Sequence, residues 1–104
     1  MQRVCFTLQV KKDRVRDYLA AHQVWPEMLA AMRDAGIRNY SMYMSKDGRA
    51  VGYFESDDVQ VSLGRLGRTD VNRRWQEHMA EYFESGGDLQ TGGVQWLDQY
   101  FLME

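Results

Sequence analysis

The chain of 104 residues contains one cysteine, one proline and two histidines. A single cysteine, Cys5, excludes an internal disulfide and fits a reducing compartment. Cys5 also lies inside a strand pattern with no activating base beside it, which argues against a thiol nucleophile. The histidines, His22 and His78, are far apart, and no His/Cys/carboxylate cluster has ligand spacing, so no metal is expected. Positive charge is not in excess. Thirteen Lys and Arg stand against fifteen Asp and Glu, for a net charge of -2, and no basic run tracks a phosphate backbone. A nucleic-acid partner is therefore not expected. No apolar run approaches the ~20 residues of a membrane helix. Met1-Gln2-Arg3-Val4 runs directly into a strand pattern, without the apolar stretch of a signal peptide. A cytoplasmic protein with no membrane partner is expected. Gly86-Gly87 and Gly92-Gly93 come with neither the lysine nor the strand-to-helix context of a phosphate loop.

Internal repeats, low-complexity stretches and linkers are also missing, and residues 1–104 suffice for one domain only. A core of that size gains from a partner subunit that covers one face. Aromatic residues are abundant by contrast, with 3 Trp, 6 Tyr and 4 Phe, and most of them must serve the core.

The pattern of elements is legible. Val4, Phe6, Leu8 and Val10 alternate as a strand with one buried face. Asp13 is placed to cap a helix in which Val15, Tyr18, Leu19 and His22 form a stripe. Pro26 cannot continue a regular helix but suits the first turn of a new one, so the helix is expected to break near Gln23–Trp25 and restart. Met28, Leu29, Met32 and Ala35 give the second half its apolar face, and Gly36 ends it. Strands over Ile37–Met44 and Arg49–Glu55 flank the tight-turn pair Asp47-Gly48. A weaker helix covers Asp57–Leu66. Thr69 or Asp70 caps a stronger one whose face carries Val71, Trp75, Met79, Tyr82 and Phe83. Ser85-Gly86-Gly87 breaks it, Thr91-Gly92-Gly93 is a second loose element, and a last strand spans Val94–Met103. The order βαββαβ is the ferredoxin-like α+β arrangement. Two helices cover one sheet face. The other face and the apolar terminal strand (Trp96, Leu97, Tyr100–Met103) favour a homodimer in which sheets or sheet edges meet.

One segment carries chemistry. Tyr18 and His22 share a helix face one turn apart, and Trp25-Pro26-Glu27 follows directly. Imidazole is the side chain best placed to give and take protons near neutral pH. Aromatic neighbours make a platform for an uncharged, partly apolar ligand such as a sugar ring. The patch reads as a cofactor-free proton-transfer site, and a broken helix end adds free backbone groups. The plainer alternative for His22 is a hydrogen-bonded histidine beside the core. His78 reads as a partly exposed neighbour of the core stripe. Glu27 serves the helix dipole or orients His22. Trp75 is more often core than site. Tyr40 and Tyr43 lie on opposite faces of one strand, and the pattern does not choose which one faces His22.

These residues resemble the L-rhamnose mutarotase family over nearly the whole length. The similarity is carried by Gln9-Val10 closing the first strand, Tyr18-x-x-x-His22, Trp25-Pro26-Glu27 and Gly36 followed by Asn39-Tyr40-Ser41. It continues through Thr69-Asp70-Val71, Arg74-Trp75 with Met79, and a close on Tyr100-Phe101-Leu102. The resemblance implies a dimeric α/β-barrel type of ferredoxin-like fold, no cofactor, and interconversion of the α and β anomers of L-rhamnose or a related 6-deoxyhexose. On this analogy His22 is catalytic, as the acid that protonates the ring oxygen. Tyr18 and Tyr40 bind the sugar, Trp75 lines it, and Trp25 packs beside it. Gln76 stands where the family has the second tryptophan of a pair, which puts an amide in place of a stacking plane. Between His22 and Trp25 the chain has one residue fewer than is usual, and residues 85–93 lack the family's Asn-Pro-Asp-Asn-Ser-Pro run. Two rival classes share the fold: a cofactor-free monooxygenase acting on aromatic substrates, and a small-molecule-binding module without turnover.

Overall fold

A computed structural model of the chain describes residues 1–84 and 94–104. Strand β1 (Gln2–Gln9) alternates as its sequence demands, with Phe6 and Leu8 buried on one side. It leads through a single 3-10 turn, Lys12–Arg14, into helix α1 (Val15–Ala21). The helix does break before Pro26. His22 caps the end of α1, and Pro26 opens helix α2 (Pro26–Asp34), where its missing N–H costs nothing. Gly36 then turns the chain at φ 97°. Its N–H bonds to Arg33 O and that of Ile37 to Met32 O, both at 3.0 Å, which satisfies the last carbonyls of the helix.

Strands β2 (Arg38–Met44) and β3 (Arg49–Ser56) form the expected hairpin around Asp47-Gly48. Helices α3 (Val59–Gly67) and α4 (Asp70–Met79) follow, then the edge strand β4 (Gln95–Leu97). Asp58 caps α3 by accepting from the Val61 N–H, and Thr69 caps α4 by accepting from that of Asn72. Each such cap contributes about 1 kcal/mol. The sheet order is β2-β3-β1-β4, antiparallel throughout. That order with these helices is the ferredoxin-like α+β fold, each of its two helices being broken in two.

The sheet has two unlike faces. Phe6, Leu8, Ala50 and Phe54 point toward the helices and share one core with Met28, Leu66, Trp75 and Met79. Gly52 sits beneath Phe6, where a Cβ would lie 2.2 Å from the ring, so only glycine lets Phe6 lie across the sheet. Cys5, Thr7, Val51 and Tyr53 point the other way.

Three sequence expectations are corrected. Asp13 caps nothing: it lies inside the 3-10 turn, and Arg14 precedes α1 without a side-chain cap. Helix α4 stops at Met79 instead of carrying Tyr82 and Phe83. A 3-10 turn (Ala80–Tyr82) intervenes, because the end of the first strand captures this segment: Lys11 N–H donates to Tyr82 O at 2.8 Å and Glu84 N–H to Gln9 O at 3.1 Å. The last strand is only Gln95–Leu97, which pairs with Cys5–Thr7 of β1, and the chain beyond Leu97 leaves the ladder although β1 continues to Gln2. The breaks expected at residues 85–87 and 91–93 lie outside the described residues.

Candidate active site

Between the helices and the inner face of the sheet lies a cavity of about 300 Å³. Its wall includes Tyr18 and His22 from α1 and its end, Tyr40 from β2, and Trp75 and Gln76 from α4. The remaining wall is almost wholly apolar, with Met28 and Met32 from α2, Met42 from β2 and Met79 from α4 prominent in it.

Local structure explains how each polar group arrives there. The i,i+4 spacing stacks Tyr18 and His22, whose ring centroids are 5.5 Å apart. Because α1 ends at His22, the next residues swing away and leave its ring open to the cavity. His22 is half-buried. It meets Trp75 edge to face at 5.6 Å and makes no hydrogen bond from its ring to another described residue. Burial lowers its pKa below the ordinary value, and a contact with its own backbone only partly opposes that. Near neutral pH it therefore rests as uncharged imidazole. Burial has the opposite sense for the phenols. It pushes Tyr18 up to about 12. It pushes Tyr40 higher still, with the nearby Tyr18 adding to the effect. Both phenols stay protonated and able to donate.

The structure also chooses between the two tyrosines of β2. Tyr40 turns inward, against Phe54 at 5.4 Å and Phe6 at 6.2 Å. Tyr43 lies on the outer face, 63% exposed. Asn39, at φ 52° in a register shift between Arg38 and Ser41, re-aims the strand just before Tyr40.

Trp25 is not on the wall. It stands behind Trp75, perpendicular at 5.1 Å, so it acts on the cavity only through Trp75. Glu27 does not orient His22: both its oxygens accept from Arg74, at 3.1 and 3.3 Å. Arg74 also bonds Asp70 at 2.9 Å and lies 5.8 Å from the Trp25 ring. This exposed clasp ties α2 to α4 behind the site. His78 is exposed, outside the cavity, against the rings of Trp25 and Trp75 at 5.5 and 5.8 Å. Sequence reasoning missed the methionine wall, whose i,i+4 spacing in α2 is the same signal as ordinary core. It also missed Asn72, buried behind Gln76.

Comparison with known proteins decides the family. The sequence profile described as L-rhamnose mutarotase matches residues 3–103. The chain belongs to the L-rhamnose mutarotase family. Members are isomerases that act on a sugar. The L-rhamnose mutarotase of Rhizobium meliloti is 29% identical over 97 residues, 90% of this chain and 91% of that protein. The crystal structure of an L-rhamnose mutarotase from Formosa agariphila superposes with a TM-score of 0.82 at 21% identity, covering 100% of both chains. An antibiotic biosynthesis monooxygenase superposes with a TM-score of 0.63 at 17% identity, covering 96% of this chain and 99% of that one. Both structural likenesses are of fold alone. The His22–Trp25 connection falls at the α1–α2 break, with Trp25 seated on Trp75. Among the described residues, no helix is long and apolar enough to cross a membrane.

Proposed function

We propose that this chain interconverts the α and β anomers of L-rhamnose or a related 6-deoxyhexose in the cavity beside His22, with no cofactor. The observation that carries this reading is the convergence of one neutral imidazole, two protonated phenols and an indole on a single cavity, in a chain matched to the family over residues 3–103. The apolar remainder of the wall suits the methyl group and C–H face of a deoxysugar.

With its pKa lowered by burial, His22 begins uncharged and becomes the acid that protonates the ring oxygen after first taking a proton. Neutral His22 starts as the base. It takes the proton of the anomeric hydroxyl as the bond between C1 and the ring oxygen breaks and its electrons move to that oxygen. The resulting imidazolium then gives the proton to the ring oxygen. Both oxygens are bonded to C1, so one imidazole can serve both, and atoms and charge balance without a second acid. The open aldehyde turns about its C1–C2 bond and recloses on the other face by the reverse transfers. Acid–base catalysis of this kind supplies roughly 10²–10⁴-fold. Tyr18 and Tyr40 hold sugar hydroxyls, Gln76 adds a polar contact, and Trp75 packs on the ring, backed by Trp25.

The working form is a homodimer in the cytoplasm. Trp96 and Leu97 on the edge strand β4, and Tyr100–Met103 in the chain beyond it, are exposed large apolar groups, exposure of the kind that marks an interface. Cys5 is a free thiol. One observation favours a second reading: the apolar wall would also take an aromatic substrate for cofactor-free oxygenation.

Saturation transfer between the anomeric NMR signals of L-rhamnose, with and without the protein, tests the proposal, with L-fucose and oxygen uptake on an aromatic phenol as companions. Protein-dependent exchange with a deoxysugar is expected. Oxygen uptake without exchange would move the assignment to the second reading.

A further inference from the structure

The α4 wall of the cavity carries one amide. Gln76 reaches the cavity between Trp75 and Met79. Its Nε2 donates to Oδ1 of Asn72, one helical turn earlier, at 3.3 Å. Asn72 is itself fixed: only 4% exposed, it sits in the first turn of α4, where its main-chain N–H is the group that Thr69 caps. An amide whose NH₂ is committed to one side turns its carbonyl to the other. Gln76 Oε1 bonds no other described residue. Nor is it sealed in, because no buried side-chain oxygen or nitrogen among the described residues lacks a partner. It is therefore an accessible acceptor on a side chain that lines the cavity. Tyr18 and Tyr40 stay protonated, so both can donate, and His22 carries the reaction. Gln76 Oε1 is the side-chain carbonyl on the wall.

We infer that Asn72 and Gln76 work as a pair that reads a sugar hydroxyl: the Gln76 carbonyl accepts a hydrogen bond from it, and Asn72 is the positioning residue that holds the amide in that sense. The inference rests on the sugar-site reading above. It selects a pyranose that presents a hydroxyl toward α4. A sugar presenting a methyl or methylene there leaves the carbonyl without a partner and binds more weakly.

The test is a cycle of variants in the anomer-exchange assay, with L-rhamnose concentration varied to separate KM from kcat. Gln76→Met keeps the length and removes the acceptor. It should raise KM roughly threefold to tenfold, the range of one neutral hydrogen bond, with a much smaller change in kcat. Asn72→Leu should raise KM similarly when Gln76 is present and add nothing in the Gln76→Met background. Asn72→Asp still accepts from Gln76 and stands in the first turn, where a carboxylate is favourable, so it should restore KM to near the wild-type value. Should Asn72→Leu not fold, Asn72→Ser, too short to reach Gln76, takes its place in the cycle. An unchanged KM in Gln76→Met, or an equal penalty for the residue 72 change in both backgrounds, overturns the inference while exchange by the wild type leaves the sugar reading standing. No exchange by the wild type with any deoxysugar would remove that reading and the inference together.

Discussion

Trp75 has an imidazole on either side. His22 meets its edge from within the cavity, half-buried, beside the Tyr18 ring. His78 meets it from outside, exposed, beside Trp25. The two rings are the same chemical group at nearly the same distance from the same indole, 5.6 and 5.8 Å. What separates them is the side of the indole each one faces. At the end of α1 the chain leaves His22 facing the cavity, where burial lowers its pKa. His78 lies on the solvent side of α4, one residue before its end. Tyr40 and Tyr43 repeat the contrast on one strand, three residues apart, one phenol against the core and one in water. The environment of each ring is thus set by which side of a wall it occupies, and the wall is Trp75 with the sheet.

Removing the wall should have the largest effect. Trp75→Ala deletes a buried indole that touches both imidazoles and Trp25, and should cost about 3–5 kcal/mol of stability. Thermal or urea unfolding measures that loss, and sugar binding should fall with it. A loss under 1 kcal/mol would mean that the indole does not support the cavity.

The tyrosine pair gives the next contrast. Tyr40→Phe should lower kcat/KM for anomer exchange by roughly tenfold, the value of a buried hydroxyl contact, whereas Tyr43→Phe should leave it within twofold. Equal effects would show that the outer face contributes to the site as much as the inner one.

The acid limb comes third. A catalyst that starts as neutral imidazole loses activity as pH falls through the folded pKa of His22. That midpoint should lie below the ordinary histidine value of about 6.5, and the rate should be level from there through neutrality. The same shift makes the unfolded chain the better proton acceptor. His22 therefore subtracts stability as pH falls from about 6.5 through its folded pKa and subtracts none above. A rate profile that rises on acidification would reverse the assigned order of proton transfers.

The smallest effect belongs to the clasp. Arg74→Met breaks ion pairs with Glu27 and Asp70 that are largely exposed, so the stability change should not exceed about 1 kcal/mol, with a modest rise in KM as Trp25 loosens behind Trp75. Tryptophan fluorescence and anomer exchange would follow both.

Much of this arrangement was legible in residue order. Alternation placed Phe6 and Leu8 inside. Pro26 announced the break that frees His22, and the Tyr18–His22 spacing put two rings on one face. What was hidden depends on contacts distant in sequence. Whether Tyr40 or Tyr43 faces the helices is set by pairing with β3 and by the shift at Asn39. The end of α4 is decided by Lys11 and Gln9 capturing Tyr82 and Glu84. The early end of β4 at Leu97 is set by where the chain leaves β1, and the apolar run that follows it does not report that. Glu27 could be paired with His22 or with a distant arginine, and only the approach of α4 selects Arg74. Asn72 looked like any polar residue in a first turn.

The most direct test compares the two histidines. Saturation transfer between the anomers of L-rhamnose would be measured for the wild type, His22→Ala and His78→Ala, each checked for folding by circular dichroism. The account predicts exchange in the wild type and in His78→Ala, and its loss by roughly 10²-fold or more in a folded His22→Ala protein. Wild-type exchange in folded His22→Ala, or loss confined to His78→Ala, would contradict it.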